Sequence, residues 1–156
     1  MTPAVKVLKA SSIPYTVHSY DHDPMSRSYG LEAAEKLGIA PQRVFKTLIV
    51  MLETKRLCVG VISVEQQLNM KRIAKAAGGR GKKADMADSQ LAERTTGYVM
   101  GGISPIGQKR RLDTYIDRAA IAHETIFISG GKRGLDIELD PSQLIGLINA
   151  TIADLT

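Results

Sequence analysis

The sequence predicts an α+β (mixed α/β) domain: a curled mixed, largely antiparallel β-sheet or barrel flanked by helices. Three observations predict it. Two β-branched runs, Val44–Leu52 and Leu57–Val64, are separated only by Glu53-Thr54-Lys55-Arg56, the pattern of an antiparallel hairpin. Helical segments with Thr, Asn or Asp caps fall singly between such strand pairs rather than alternating with every strand. The chain is 156 residues long, 44% hydrophobic and 24% charged, which is one core's worth of ordinary globular composition. Residues 1–156 are therefore read as a single domain.

Each element has a local reason. Thr2-Pro3 is a cap followed by proline at the first helical position, opening a helix through about Lys9. Pro14–Tyr20 alternates apolar and polar residues and reads as a strand, and Asp21-His22-Asp23-Pro24-Met25-Ser26 as a loop. Leu31–Leu37 is helical and stops at Gly38, a residue suited to a left-handed cap. After the hairpin, Asn69 caps a basic helix ending at Gly78-Gly79, and Asp88 caps another ending before Gly97. Leu112–Ile116, Glu124–Ser129 and Leu135–Leu139 are short strands, the last two joined by the turn Gly130-Gly131-Lys132-Arg133-Gly134. Asp140-Pro141 repeats the cap-then-proline start and opens a C-terminal amphipathic helix to about Asn149.

Composition excludes several classes. No apolar run approaches the ~18 residues of a membrane helix, and the N-terminal segment lacks the apolar core of a secretory signal. The single cysteine, Cys58, allows neither an internal disulfide nor a multi-thiolate metal site, so the protein is expected to be cytoplasmic. Charge is placed unevenly. Residues 1–78 carry 11 basic and 6 acidic side chains, residues 79–156 carry 10 of each. Lys71, Arg72, Lys75, Arg80, Lys82 and Lys83 fall within 13 residues that hold no acid, and Lys109-Arg110-Arg111 follows a glycine-rich loop. Such clusters suit a phosphate backbone, or else form a solvated basic face. Seven aromatic residues and no Trp argue against a broad base-stacking platform.

Several motifs fail on inspection. His123-Glu124 has Phe127 where a zinc helix needs its second histidine. Gly78-Gly79-Arg80-Gly81-Lys82-Lys83 has Ala76 and Lys83 where a phosphate loop needs Gly and Ser or Thr. Asp21-His22-Asp23 ends in a proline turn and reads as solvated, and Cys58 reads as a packed thiol in a core strand. No Ser/His/Asp set has the context of acyl-enzyme catalysis, no metal or other cofactor is expected, and no base stands out to activate a nucleophile. Three features remain. Lys46 interrupts a strand that otherwise wants burial, so it either points outward or faces a polar pocket. The segment Gly101-Gly102-Ile103-Ser104-Pro105-Ile106-Gly107 is glycine-dense, as a loop whose amides approach a ligand would be, or a tight turn. Ser129-Gly130-Gly131-Lys132-Arg133-Gly134-Leu135-Asp136 places a hydroxyl, two cations and a carboxylate on one hairpin.

Together with Tyr20-Asp21-His22-Asp23-Pro24, Glu32–Gly38, Phe45-Lys46-Thr47-Leu48 and Thr96–Lys109, these segments resemble the YbaK/EbsC family of freestanding aminoacyl-tRNA deacylases. The family is related to the editing insertion of bacterial prolyl-tRNA synthetase. The resemblance spans the chain and is nearest the type that clears cysteine mischarged on proline tRNA. It implies one YbaK-like editing domain over 1–156, a mixed barrel-like sheet, and cleavage in which the substrate's own thiol attacks its ester. The alternatives are the alanine-specific branch and a non-catalytic module that binds tRNA or a synthetase. By resemblance Lys46 and Gly101 are catalytic, while Tyr20, Tyr29, Thr47, Ser129 and Asp136 contact the substrate. Tyr29 stands where the pattern usually has Phe. Lys71, Arg72, Lys75, Lys82, Lys83, Lys109 and Arg110 would serve the tRNA acceptor end. The partners implied are aminoacyl-tRNA and prolyl-tRNA synthetase, with neither membrane nor DNA.

Overall fold

The computed structural model describes residues 1–78 and 83–156. The strands are β1 (Thr16–Ser19), β2 (Phe45–Leu52), β3 (Leu57–Ser63), β4 (Ala84–Met86), β5 (Asp113–Asp117), β6 (Ile126–Lys132), β7 (Leu135–Leu139) and β8 (Thr151–Ala153). The α-helices are α1 (Pro3–Ala10), α2 (Tyr29–Leu37), α3 (Met70–Ala76), α4 (Ser89–Thr96) and α5 (Pro141–Ile148). The mixed, largely antiparallel α+β expectation holds, but the strands divide between two sheets. One has the order β4-β2-β3-β5-β8, the other β1-β7-β6. Pairing is antiparallel except between β3 and β5 and between β5 and β8. A parallel bridge from Val44 to Phe127 links the two sheets.

The caps form as the sequence indicates. Thr2 accepts from the Val5 N–H, Asn69 from Arg72, Asp88 from Gln90 and Leu91, and Asp140 from Ser142. Gly38 closes α2 in the left-handed conformation at φ 68°. Four elements differ from expectation. Helix α2 begins at Tyr29 rather than Leu31, because Gly30 brings the first turn onto Val64, where a Cβ would lie 2.2 Å from Cγ1. Strand β6 continues to Lys132: Gly130 and Gly131 form a bulge inside it, and the turn itself is Arg133-Gly134. Strands β4 and β8 are three residues each, too short for an alternation to register in sequence.

The main core fills the space between the sheets. Phe45, Ile49, Val59 and Val61 of the large sheet meet Ile126, Ile128, Ile137 and Leu139 of the small one, closed by Leu8 of α1 and Leu144 of α5. On the other face of the large sheet, α3 covers Val50, Cys58 and Ile62 with Ile73 and Ala74. Cys58 is fully buried, and that burial pushes its thiol up to about 11, so it packs rather than reacts. A third cluster sets Ala33 and Ala34 of α2 against Val44, Val64 and Phe127 at the junction of the sheets.

Helix α1 lies against the 101–107 loop so closely that a Cβ on Gly107 would come within 2.9 Å of the Pro3 carbonyl, and Gly107 already sits at φ +72°. Gly107→Ala is therefore predicted to cost about 2 kcal/mol, from left-handed strain and backbone displacement together. Thermal denaturation would show this as a midpoint lowered by about 6 °C; an unchanged midpoint would mean that α1 moves aside freely.

Candidate functional site

A cavity of about 360 Å³ opens beside the sheet junction, between α2, the first half of β2 and the adjoining strands of the small sheet. Four successive β2 residues, Phe45 to Leu48, line it, so the cavity wraps the beginning of that strand. All seven sequence candidates for catalysis and substrate contact line it as well: Lys46, Gly101, Tyr20, Tyr29, Thr47, Ser129 and Asp136. Tyr20 and Tyr29 come from the loop and helix before β2, Gly101 from the loop after α4, and Ser129 and Asp136 from the facing positions of β6 and β7. Sequence reasoning missed other lining residues, including Arg27, Leu31, Val64 and Met100. Arg27 sits in a polar loop with no periodicity to mark its direction.

Several polar groups of the cavity lack partners among the described residues. Lys46 is half-buried opposite Ile62, and among the described residues no carboxylate lies within ion-pair distance of it. Burial holds its ammonium below the ordinary lysine range. The Thr47 Oγ1 is buried without a hydrogen-bond partner among the described residues. Asp136 is 6% exposed, and burial pushes its carboxyl up to about 7. Tyr20 is raised to about 12, first by burial and then by the Asp136 carboxylate nearby. Ser129 and Tyr20 do have partners, Ser129 Oγ accepting the Gly131 N–H at 3.1 Å and Tyr20 meeting the Gly134 backbone.

The rim is held by side chains that do have partners. Buried Glu32 on α2 accepts from His22 Nδ1 at 2.6 Å and from the Asp23 N–H at 2.7 Å, with Lys36 Nζ 3.4 Å away. Burial alone would raise the Glu32 pKa, but these donors outweigh it and hold the carboxyl below its ordinary value. The Asp21-His22-Asp23 segment is thus a turn fastened to α2, and among the described residues no cluster of His, Cys, Asp and Glu could hold a metal. Gly101 is at φ +84°, and a Cβ there would stand 2.7 Å from both Arg133 Nε and Tyr29 Cδ2. Arg133 lies with Cζ 4.5 Å over the Tyr29 ring and donates from Nε to the Met100 carbonyl at 2.9 Å. The other glycines of the loop serve a different purpose from that expected: Gly102 admits the Lys132 backbone and Gly107 admits α1. Gly101 is the glycine of that loop that lines the cavity.

The basic candidates lie elsewhere. Lys71, Arg72 and Lys75 are exposed on α3, Lys83 is exposed before β4, and Lys109 and Arg110 are exposed after the 101–107 loop, their N–H groups donating to the Thr96 and Thr95 carbonyls of α4. None of them lines the cavity. Lys82 and Arg80 fall outside the described residues.

Fold and cavity define an α+β domain with a recess whose described lining holds a lysine, hydroxyls and a carboxyl but neither cysteine nor histidine. Similarity to known proteins narrows that class. Residues 26–147 match the model of the aminoacyl-tRNA editing domain. Enterococcus faecalis EbsC, named for Cys-tRNA(Pro)/Cys-tRNA(Cys) deacylation, is 37% identical over 157 residues, 99% of this chain and 93% of that protein. A proline–tRNA ligase of a Thermoanaerobacter species is 28% identical over 86 residues, 55% of this chain and 15% of the ligase. The crystal structure of a hypothetical protein has a TM-score of 0.86 at 24% identity, covering 98% of each chain. That of a protein assigned to trans-editing for prolyl-tRNA synthetase has a TM-score of 0.80 at 20% identity, covering 100% of this chain and 98% of the other; these two establish the fold. The chain belongs to the aminoacyl-tRNA editing domain family. It is an enzyme whose substrate class is aminoacyl-tRNA and whose reaction is deacylation.

The raised pKa of Asp136 gives a signed prediction. A carboxyl whose folded pKa lies above its unfolded value of 3.8 destabilises the fold increasingly as pH rises from about 4 to about 7. Asp136→Asn should therefore raise the thermal midpoint at pH 8 and change it little at pH 4. Equal shifts at both values would show that the carboxyl is not desolvated.

Proposed function

We propose that this chain, acting as one editing unit over residues 1–156, removes cysteine mischarged on proline tRNA, and that the substrate's own thiol is the nucleophile. The observation that carries this reading is a cavity built around a lysine that meets no carboxylate among the described residues, with neither cysteine nor histidine in its described lining to act as thiol nucleophile or imidazole base. The 37% identity to a protein named for that cysteine reaction supports it. In the reaction the substrate sulfur bonds to the ester carbonyl carbon, the carbon–oxygen bond to the terminal ribose breaks, and the thiol proton ends on the ribose oxygen. The products are free tRNA and a cyclic thioester. The motive is physical: a pocket that sorts amino acids of similar volume gains only about 1–3 kcal/mol, so a second check is needed.

Roles follow from position. The Lys46 ammonium, without a carboxylate partner, holds the terminal phosphate or ribose hydroxyls of the acceptor end and orients the ester. The Gly101 backbone, which lines the cavity, faces the carbonyl where negative charge develops. Thr47 Oγ1 and Asp136 hold the aminoacyl group, with Tyr20, Tyr29 and Ser129 around them. The exposed cations of α3, with Lys83, Lys109 and Arg110, meet the acceptor stem. Prolyl-tRNA synthetase is the proposed protein partner and supplies tRNA identity, and the site of action is the cytoplasm.

The deciding experiment sets purified cysteinyl, alanyl, prolyl and seryl esters of proline tRNA side by side. Rapid loss of the cysteinyl ester alone is expected, with a rate that rises toward the thiol pKa of about 8.5. Seryl ester cleaved as fast as cysteinyl would overturn the thiol mechanism, and fast alanyl loss would move the protein to the alanine branch. Lys46→Ala should abolish deacylation with an unchanged or higher thermal midpoint, because deleting a desolvated cation relieves a cost of folding. A folded Lys46→Ala variant of near-native activity would exclude the lysine. Cys58→Ala should leave activity near normal, since the thiol is fully buried away from the cavity lining.

A further inference from the structure

We propose that Arg133 is a phosphate-binding residue at the mouth of the cavity, taking the phosphodiester that trails from the aminoacylated nucleotide; this rests on the deacylase reading above. Arg43, Arg56 and Arg118 each meet a carboxylate, from Glu138, Asp113 and Asp154 respectively. Arg133 meets none among the described residues, although it is exposed. An exposed arginine without an anionic partner would ordinarily be free to wander through its rotamers. This one is fixed.

Three contacts fix it. Its Nε donates to the Met100 carbonyl at 2.9 Å, its guanidinium plane covers the Tyr29 ring with Cζ at 4.5 Å, and its Nε occupies the space that a Cβ on Gly101 would claim. The backbone beneath it is held too. Arg133 and Gly134 form the two-residue turn between β6 and β7, and the Tyr20 N–H donates to the Gly134 carbonyl at 3.0 Å. These contacts use Nε and the face of the guanidinium. They leave Nη1 and Nη2 without a hydrogen bond among the described residues.

A planar fork with two uncommitted nitrogens, already immobilised, suits two oxygens of a phosphate, and little side-chain entropy is lost on binding. Both residues that Arg133 clamps, Tyr29 and Gly101, line the cavity, so the fork stands at its edge. Arg27 lines the same cavity two residues before Tyr29, is exposed, and is likewise free of a carboxylate among the described residues. An ester at an RNA 3′ end enters such a recess with its chain behind it. The phosphate of the adjoining linkage then lies at the mouth, where Arg133 and Arg27 flank Tyr29.

The test is binding of a fluorescently labelled single-stranded RNA hexamer ending in CCA, followed by anisotropy across a series of NaCl concentrations. For wild type the logarithm of affinity falls linearly with the logarithm of salt, and each single-strand phosphate contact contributes about 0.7 to the slope. Arg133→Ala should weaken binding at low salt by about tenfold and flatten the slope by about 0.7. Arg133→Lys should keep the wild-type slope. An unchanged slope in Arg133→Ala, or no binding by wild type, would overturn the proposal. A second measurement separates phosphate binding from mere clamping of Tyr29 and Gly101. Arg133→Ala should lose at least ten times more rate on cysteinyl-RNA than on 3′-O-cysteinyladenosine, which has no phosphate; equal losses on both would make the residue a clamp only. If wild type cleaves neither ester, the deacylase reading fails, and the salt slope alone decides whether Arg133 binds phosphate.

Discussion

The cavity depends on how β2 begins. Val44 is fully enclosed, its N–H donates to the Pro41 carbonyl, its own carbonyl accepts the Val64 N–H at 2.8 Å, and it bridges to Phe127 of the small sheet. One residue is therefore tied to a 3₁₀ turn, to the end of β3 and to β6. Lys46 and Thr47 follow Val44 within three positions, and Ser129 follows Phe127 within two. Fixing the junction thus brings the cation and hydroxyl of one sheet opposite the hydroxyl and carboxyl of the other. The Arg43 guanidinium reinforces the same point from outside, 5.1 Å over the Phe127 ring and bonded to Glu138 and Thr125. Neither sheet by itself contains the site.

Polar groups near this junction fall into two kinds. Glu32 and Glu138 are surrounded by donors, and both carboxyls are held below their ordinary pKa. They fasten a loop to α2 and a turn to β7, and such satisfied networks fix one conformation. Lys46, the Thr47 Oγ1 and Asp136 are buried to different degrees without such satisfaction, and desolvation moves Lys46 downward and Asp136 upward. Groups left in this state lower stability. Their concentration in one recess, a few residues from fully satisfied carboxylates, is the physical signature of a site that awaits polar atoms from elsewhere.

Most of this fold was legible because its punctuation is strong. Thr2, Asn69, Asp88 and Asp140 cap helices in sequence and in structure alike, and the Glu53–Arg56 turn marked the hairpin. What escaped has no local signal. Strands β4 and β8 have three residues each, and the parallel pairing of β5 with β3 and β8 is decided by packing between distant segments. The glycine pair 130–131 looked like a turn because bulge and turn draw on the same residue. In the site, Lys46 was legible as a charge in an apolar strand, Gly101, Ser129 and Asp136 fell in two glycine-rich segments that stood out by pattern, and Tyr20, Tyr29 and Thr47 came from resemblance alone. Arg133 stood in view as one of two cations on a hairpin. Its immobilisation depends on Tyr29, Met100 and Gly101, which no spacing rule connects to it.

The structure also gives the cavity a property the sequence did not mark, a carboxyl that burial pushes well above the ordinary range. Asp136 with a pKa of about 7 is a stronger proton acceptor than an ordinary carboxylate. Its strength is matched to a thiol. Taking a proton from a thiol of pKa about 8.5 is uphill by only about 1.5 units, near 2 kcal/mol at about 1.36 kcal/mol per unit. Taking one from water at about 15.7 is uphill by about 9 units, near 12 kcal/mol, and a serine hydroxyl is no easier. A carboxyl placed this way therefore does not weaken the case for a substrate thiol as nucleophile. In the proposed reaction it would widen the gap between cysteinyl and seryl esters of nearly the same volume, because such a carboxylate could help one and scarcely the other. On that reading, the stability cost of burying Asp136 and a selection by reactivity rather than size would both stem from the same desolvated side chain.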